Sequence, residues 1–425
     1  MSKNQLISAI DIGTTKISTL IATVSPETEK INVIGVSVVD AKGLRKSQIV
    51  DIDETIESIT QSVESAERMA GYTISSALTT ISGSHIESLN SKGVVAVAEP
   101  EGEISETDVD RVIEAARAVS LPTSREILHV IPRDFKVDSQ EGVKDPVGMS
   151  GVRLEAETHI ITGSSTAMKN IIKCISEIGI EVDSLVFTGL ASAESVLTPT
   201  EKELGVVLVD IGGGSTSMAV FVEGALSFSS VLPVGAKNIT NDLAIGLRVS
   251  LETAEKIKLA MSSLNHNHNG NEEESDELDF KKLNLTEEIG KLSKKTLVEG
   301  IIRPRLNEIF SLVAEELKKS GFGGVTPAGV VVTGGGALTV GLTVSCKRIL
   351  SLPVRIGYPK GLSGLIDEIK SPAFATSWGL IEYGLKNSKG IKSDSSFKSI
   401  SKAFQKIPIK GFIGKGFKLI KSFLP

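Results

Sequence analysis

Asp11 and Asp210 each end an apolar run and open a glycine-containing turn. The two stretches are LISAIDIGTTKISTLIA (residues 6–22) and VVLVDIGGGSTSMAVFV (residues 206–222). They share one plan: an apolar strand, Asp-Ile-Gly, a small polar turn and a second apolar strand. In the first turn Gly13 lets the backbone pass close to a ligand, and Thr14 and Thr15 offer hydroxyls and amide donors. Lys16 can neutralise phosphate charge. Asp11 and Asp210, at strand ends, are suited to hold a hydrated Mg²⁺ through water. In the second turn Gly212, Gly213 and Gly214 run in succession before Ser215 and Thr216. A two-residue hairpin does not need that loss of backbone order, whereas a backbone wrapped around phosphates does. Alone, Asp-Ile-Gly-Thr is also an ordinary hairpin.

A third turn, Gly334, Gly335 and Gly336 before Ala337, follows the buried-strand run 328–333. A flat ligand can approach such a backbone, and a helix starting there would face negative charge. A tight strand-to-helix turn has the same composition. The functional reading rests on three such turns in order with two strand-end aspartates: two facing turns clamp phosphates and the third receives a base.

These turns must be held by larger elements. Strand-like runs alternate with helical stretches, which predicts an α/β protein. The two similar runs lie ~200 residues apart, so they predict a duplicated domain rather than a short-period solenoid. Residues 84–162 read as a small α/β insert, with strands over 93–97, 127–137 and 152–162. A helix over 106–119 has Ser105 as N-cap and Asp108 three residues on. Residues 265–279, NHNHNGNEEESDELD, read as a solvated loop, where His266 and His268 lack neighbouring His or Cys for a metal site. Cys174 and Cys346 are far apart and fit neither a disulfide framework nor a zinc site, so each is expected buried, in a reducing cytosol.

Across 425 residues the net charge is −6, yet residues 391–425 carry eight Lys and one Asp, or +7, leaving −13 for residues 1–390. An acidic body excludes a general nucleic-acid binder, and the basic tail points to a local anionic partner. No run of eighteen apolar residues predicts a transmembrane helix, and Asp11 interrupts any leader-like start. The tail follows a Ser/Lys-rich linker and reads PIKGFIGKGFKLIKSFLP over 408–425. On a helical wheel Phe412, Ile413, Phe417, Leu419, Ile420, Phe423 and Leu424 fall in an arc of ~160°. Lys410, Lys415, Lys418 and Lys421 fall opposite. Such a helix lies in a bilayer surface facing anionic lipid and does not cross it. Burying those seven side chains has an upper limit of ~10–20 kcal/mol, reduced by shallow insertion and helix ordering.

The turns resemble those of the actin-like ATPase superfamily: DIGTTK and DIGGGST match its two phosphate loops and VVVTGGGA its adenosine loop. Glu255 and Lys258, at i,i+3, match a helix whose Glu and Lys meet ribose and base in bacterial actin relatives; an ordinary solvated ion pair has the same spacing. Within the superfamily the chain resembles the FtsA family of membrane-binding division actins. The resemblance runs over almost the whole chain, through HVIPRDFKVD (129–138), GVKDPVGMSGVRLEAETHIITG (142–163), VFTGLASAESVL (186–197) and LPVGAKNITNDLA (232–244). The Asn-rich loop departs from the family pattern.

That resemblance implies duplicated actin-like (ribonuclease H-like) domains around a nucleotide cleft. The first lobe would be 1–83, 163–195 and 350–385, with the insert at 84–162. The second lobe would be 196–236 and 305–349, with a small subdomain at 237–304. A linker (386–405) and an amphipathic helix (406–425) would follow. It also implies ATP with Mg²⁺, self-polymerisation, and anchoring of FtsZ on the cytoplasmic face of the membrane at the division site, where later division proteins are recruited. The FtsZ C-terminal peptide would meet Arg303, Arg305 and Asn307 on a helix over 294–310. The position that orients the attacking water in hydrolysing relatives falls on Thr188, a poor base, with Glu194 nearly two turns on, so turnover is expected to be weak or absent. The competing readings are a small-molecule kinase of the same superfamily and a non-division membrane adaptor.

Overall fold

The computed structural model describes residues 5–25, 30–98, 102–266, 293–365 and 369–388. The first apolar run folds as a hairpin of Gln5–Ile12 and Lys16–Val24, and Ile31–Asp40 extends it antiparallel. Ser76–Ile81 and Glu181–Phe187 then add in parallel on the other side. The second run repeats this order: Val206–Ile211, Thr216–Val222 and Ala225–Leu232 are antiparallel, and Val330–Thr333 and Val354–Ile356 add in parallel. The central strands are buried along nearly their whole length, which is why they read as continuous apolar runs rather than alternating ones. The duplication expected from the repeated Asp-Ile-Gly is therefore present as two sheets of one topology.

Amphipathic helices cover each sheet. Ile52–Ala70 lies on the first, its start fixed by the Asp51 side chain accepting from the Glu54 amide. Arg303–Ser320 buries Leu306, Ile309, Phe310, Val313 and Leu317 against the second. Two helices cross between the lobes, Thr188–Val196 and Ala375–Ser388. They meet backbone to backbone: a Cβ on Gly379 would stand 1.8 Å from the Ala191 carbonyl oxygen.

The insert is a four-stranded antiparallel sheet, in the order Glu87–Ala96, Arg153–Ser164, Arg125–Val137, Gln140–Val143. Helix Glu106–Arg117 packs on it and starts with the expected Ser105–Asp108 capping box. Ile104, Val112, Phe135, Val137, Val143, Leu154 and Ala156 give it a small core of its own. Its chain connections run to the first lobe, but its polar contacts also reach the second. The Ser88 hydroxyl donates to the Ser229 carbonyl (2.7 Å), the Asn90 amide to the Ser227 carbonyl (3.2 Å), and the Arg133 Nε to the Ser227 hydroxyl (3.1 Å). His159 Nε2 lies 3.0 Å from the Ser229 hydroxyl.

Three expectations change in detail. Strand Val354–Ile356 belongs to the second sheet, so the chain leaves the second lobe later than residue 350; three residues of strand carry too little pattern to reveal this. The helix expected over 294–310 instead runs from Lys294 to Ser320 and contains a π-helical turn at Val298–Ile302. After the third glycine turn comes a short 3₁₀ segment, Gly335–Leu338, and the α-helix starts only at Leu342, so no helix N-terminus faces that turn. Cys174 and Cys346 are buried and free, and burial pushes their thiols up to about 11 and about 12. Most of the loop 265–279 and of the linker 386–405, and the whole amphipathic tail, lie outside the described residues.

Candidate functional site

The two Asp-Ile-Gly turns face each other across a cleft between the lobes. Each is closed by the same backbone bond, Gly13 N to Lys16 O (3.0 Å) and Gly212 N to Ser215 O (2.9 Å). Each aspartate sits opposite a serine one strand over, Ser18 for Asp11 and Ser217 for Asp210. Asp11, Gly13, Thr14, Thr15 and Lys16 line the cleft from one side; Asp210, Gly212, Gly213 and Ser215 line it from the other, with Gly334 and Gly335 at the end. A Cβ on Gly213 would lie 2.3 Å from Thr15 Cγ2, and one on Gly214 would lie 2.6 Å from Thr14 Oγ1. The successive glycines thus give room for the threonines opposite. The helix that begins at Ala236 supports the bare loop, its first amides donating to the carbonyls of Gly212 (2.9 Å) and Gly213 (2.8 Å). Gly334 adopts φ 83° and packs so tightly behind Asp210 that a Cβ would stand 2.2 Å from its Oδ1.

The charges are buried and unlike. Burial raises the carboxyl of Asp11, opposed by Lys16 and by donors from Thr80 (3.0 Å) and Ser377 (3.3 Å). Burial pushes Asp210 up to about 6; the hydroxyl of Ser192 pulls it back, the negative charge of Asp11 adds to the rise, and Thr376 (3.1 Å) opposes it. Burial brings Lys16 down to about 8 against the attraction of both aspartates, and its Nζ stands 3.5 Å from the centre of the Phe374 ring. Two carboxylates with an adjacent ammonium form an all-oxygen donor set beside an anion-binding group. Among the described residues no three His, Cys, Asp or Glu side chains are grouped to chelate a metal. A divalent ion would be held here through water and phosphate, the habit of Mg²⁺.

Several expected residues stand elsewhere. Thr216 is fully buried and its hydroxyl donates to the Val234 carbonyl (2.8 Å), so it braces the turn. Gly336 is buried behind Ile211. Glu255 and Lys258 do share a helix face and pair at 2.7 Å, and both turn to Thr240 on the neighbouring helix. Thr188 lines the cleft while donating to the Ile81 carbonyl (3.2 Å). Glu194 points away: burial raises its carboxyl, but Lys202 and Lys386 outweigh this and hold it below the ordinary range.

Arg305 forks onto Asp242 with bonds of 2.6 and 2.8 Å and also reaches Glu308, and Arg303 pairs with Glu299, so their charges are already engaged within the chain. The Asn307 carbonyl oxygen is buried with no hydrogen-bond partner. Arg305 nevertheless borders a groove with Ile245, Ile301 and Pro304, in which Ile245 is 77% exposed.

Other cleft residues gave no sequence signal. Ser47, at the tip of a short hairpin with φ 59°, donates its amide to Thr14 Oγ1 (2.8 Å) and places its hydroxyl 2.7 Å from that of Ser215. Ser192 reaches Asp210 from a helix 18 residues earlier, and Thr376 and Ser377 reach the aspartates from a helix 166 and 366 residues away.

Comparison with known proteins fits this architecture. Residues 83–162 match the model of the SHS2 domain inserted in FtsA, and residues 207–379 match that of cell division protein FtsA. The chain is 39% identical to cell division protein FtsA of Pseudomonas aeruginosa over 411 residues, 96% of each chain. It is 37% identical to that of Bacillus subtilis over 413 residues, 96% of this chain and 90% of the relative. Among solved structures it resembles a PilM–PilN type IV pilus biogenesis complex (TM-score 0.60, 15% identity, 89% of this chain and 98% of that one). It also resembles MreB5 of Spiroplasma citri bound to AMPPNP (TM-score 0.53, 15% identity, 91% and 98%). At such identities these structures share the fold alone, whereas the full-length relatives carry the family: this chain belongs to the FtsA family of cell-division proteins.

Proposed function

We propose that the cleft binds ATP with Mg²⁺ and that the protein polymerises on the cytoplasmic face of the membrane at the division site, anchors FtsZ there and gathers later division proteins. The observation that carries the nucleotide reading is the pair of facing turns, in which glycines at 213 and 214 leave backbone bare against Thr14 and Thr15. Lys16 supplies the cation, with its Nζ over the Phe374 ring and drawn by Asp11 and Asp210. Bound Mg²⁺ would neutralise phosphate charge; Asp11 and Asp210 would hold its water shell. A relative of this fold solved with AMPPNP supports the same reading. Thr188 stands at the position that orients the attacking water in hydrolysing relatives, and Glu194 is paired with Lys202 and Lys386, so turnover is weak or absent and ATP serves as a cement between lobes.

The membrane reading rests on the sequence of the tail, with Phe412, Phe417, Ile420 and Phe423 on one arc and Lys415, Lys418 and Lys421 on the other. No helix among the described residues is long and apolar enough to cross a membrane. Many tails on one polymer bind lipid far more firmly than one, so polymerisation and attachment reinforce each other. The groove beside Arg305 offers an apolar floor at Ile245 and Ile301 for the FtsZ peptide, with Arg305 exchanging Asp242 for an acidic group on the peptide. Co-sedimentation with anionic liposomes, for the full chain and for a truncation at Lys406, with and without Mg-ATP, tests the tail. The full chain pellets and the truncation stays in the supernatant; equal pelleting overturns the reading.

A further inference from the structure

We propose that Thr376 and Ser377 are positioning residues that tie the two cleft carboxylates to the helix Ala375–Ser388, so that loading the cleft turns that helix. The proposal rests on the Mg-ATP reading of the cleft. The two residues are consecutive in the first turn of Ala375–Ser388. Neighbouring side chains on a helix point about 100° apart. One therefore reaches each lobe: Thr376 Oγ1 donates to Asp210 Oδ2 (3.1 Å), and Ser377 Oγ donates to Asp11 Oδ2 (3.3 Å).

A second layer of hydroxyls stands behind them. Ser192 bonds both Thr376 (2.9 Å) and Asp210, Ser18 bonds Ser377 (2.7 Å), and Ser195 donates to the Ala375 carbonyl (2.6 Å). Ser18, Ser192 and Ser377 are 0% exposed and Thr376 is 7% exposed. At 3.1 and 3.3 Å the two bonds to the carboxylates are long, and burial keeps water from replacing them.

The geometry makes the coupling. Asp11 belongs to one lobe and Asp210 to the other, so their separation changes whenever the lobes move. Thr376 and Ser377 are covalent neighbours with a fixed spacing. Either one bond breaks or the helix rotates to keep both. Sideways travel is blocked, because Gly379 already sits against the backbone of Ala191. A hydrated cation held at Asp11 and Asp210 would set the spacing of the two carboxylates, and the hydroxyls bonded to them would carry the helix along.

The next residue is a built-in reporter. Trp378 is the sole tryptophan of the 425 residues, is 2% exposed, and its buried indole N–H has no hydrogen-bond partner among the described residues. Its emission therefore reports on the packing around this helix.

The test uses the purified full chain, its tryptophan emission and calorimetric ATP affinity, each with Mg²⁺ and with EDTA. In the unaltered protein Mg-ATP changes the Trp378 emission and Mg²⁺ strengthens ATP binding. The T376V/S377A double variant loses the emission change, and the Mg²⁺ benefit shrinks about tenfold for each charge-assisted bond removed. T376S, which keeps the hydroxyl, retains both. If the double variant does not fold, S377A, which removes one oxygen, carries the same test. A variant with the full Mg²⁺ benefit and full emission change overturns the proposal. ATP binding in the unaltered protein with unchanged emission also overturns it while leaving the nucleotide reading intact; no ATP binding at all overturns both.

Discussion

The two Asp-Ile-Gly turns match in backbone and are opposites in side chains. Both close with a Gly-to-carbonyl bond and place their aspartate opposite a serine. The first then presents Thr14, Thr15 and Lys16, while the second presents glycine where those threonines arrive. A duplicated fold has thus kept its hydrogen bonds and divided its surface: one turn supplies bulk and charge, the other supplies space. The difference teaches that close packing across a cleft requires the two halves to diverge.

Making the halves alike should have the largest effect. G213T/G214T sets four threonines into space that holds two, and it should abolish detectable ATP binding in calorimetry and cost about 1–3 kcal/mol in urea unfolding. Next comes G235A, because its Cβ would stand 2.6 Å from the carbonyl oxygens of both Gly212 and Gly213, rigid backbone that cannot give way. It should weaken ATP binding more than T15A does. K16A removes the charge found only on the first turn and should lower ATP affinity by about 10–100-fold, the worth of a charge-assisted contact.

A smaller effect follows pH. The second turn's Asp210, at about 6, holds cation water only when ionised, and Lys16, at about 8, holds phosphate only when protonated. Affinity for Mg-ATP should fall as pH drops through about 6 and fall again as it rises through about 8, and D210N should remove Asp210's part of the acidic limb and move the basic limb to lower pH, because Lys16 loses one of its two attracting aspartates. The smallest effect belongs to the helix joining the halves. E194Q should lower the melting temperature through its lost pairs with Lys202 and Lys386 and leave ATP affinity unchanged.

The duplication and the facing turns were legible because strand burial writes continuous apolar runs and because Asp-Ile-Gly occurs twice. Thr376 and Ser377 were not legible, since their partners lie 166 and 366 residues away and a hydroxyl at a helix start has no spacing of its own. The i,i+3 spacing of Glu255 and Lys258 correctly placed them on one face, but Thr240 on another helix decides where that face points. Arg305 read as a free cation because nothing in its neighbourhood announces Asp242, 63 residues earlier. The strand at 354–356 was missed because three residues show no period.

The insert has two masters. Peptide bonds fasten it to one half of the molecule, and Ser88, Asn90, Arg133 and His159 fasten it to the strand Ala225–Leu232 of the other. Burial, with Arg133 beside it, brings His159 down to about 3, so this grip involves an uncharged ring and does not slacken with mild acid. Prying the halves apart must therefore either swing the insert on its tethers or sever contacts worth ~0.5–1.5 kcal/mol each. The insert is a strut braced between the two halves, and its contacts add to the cost of separating them.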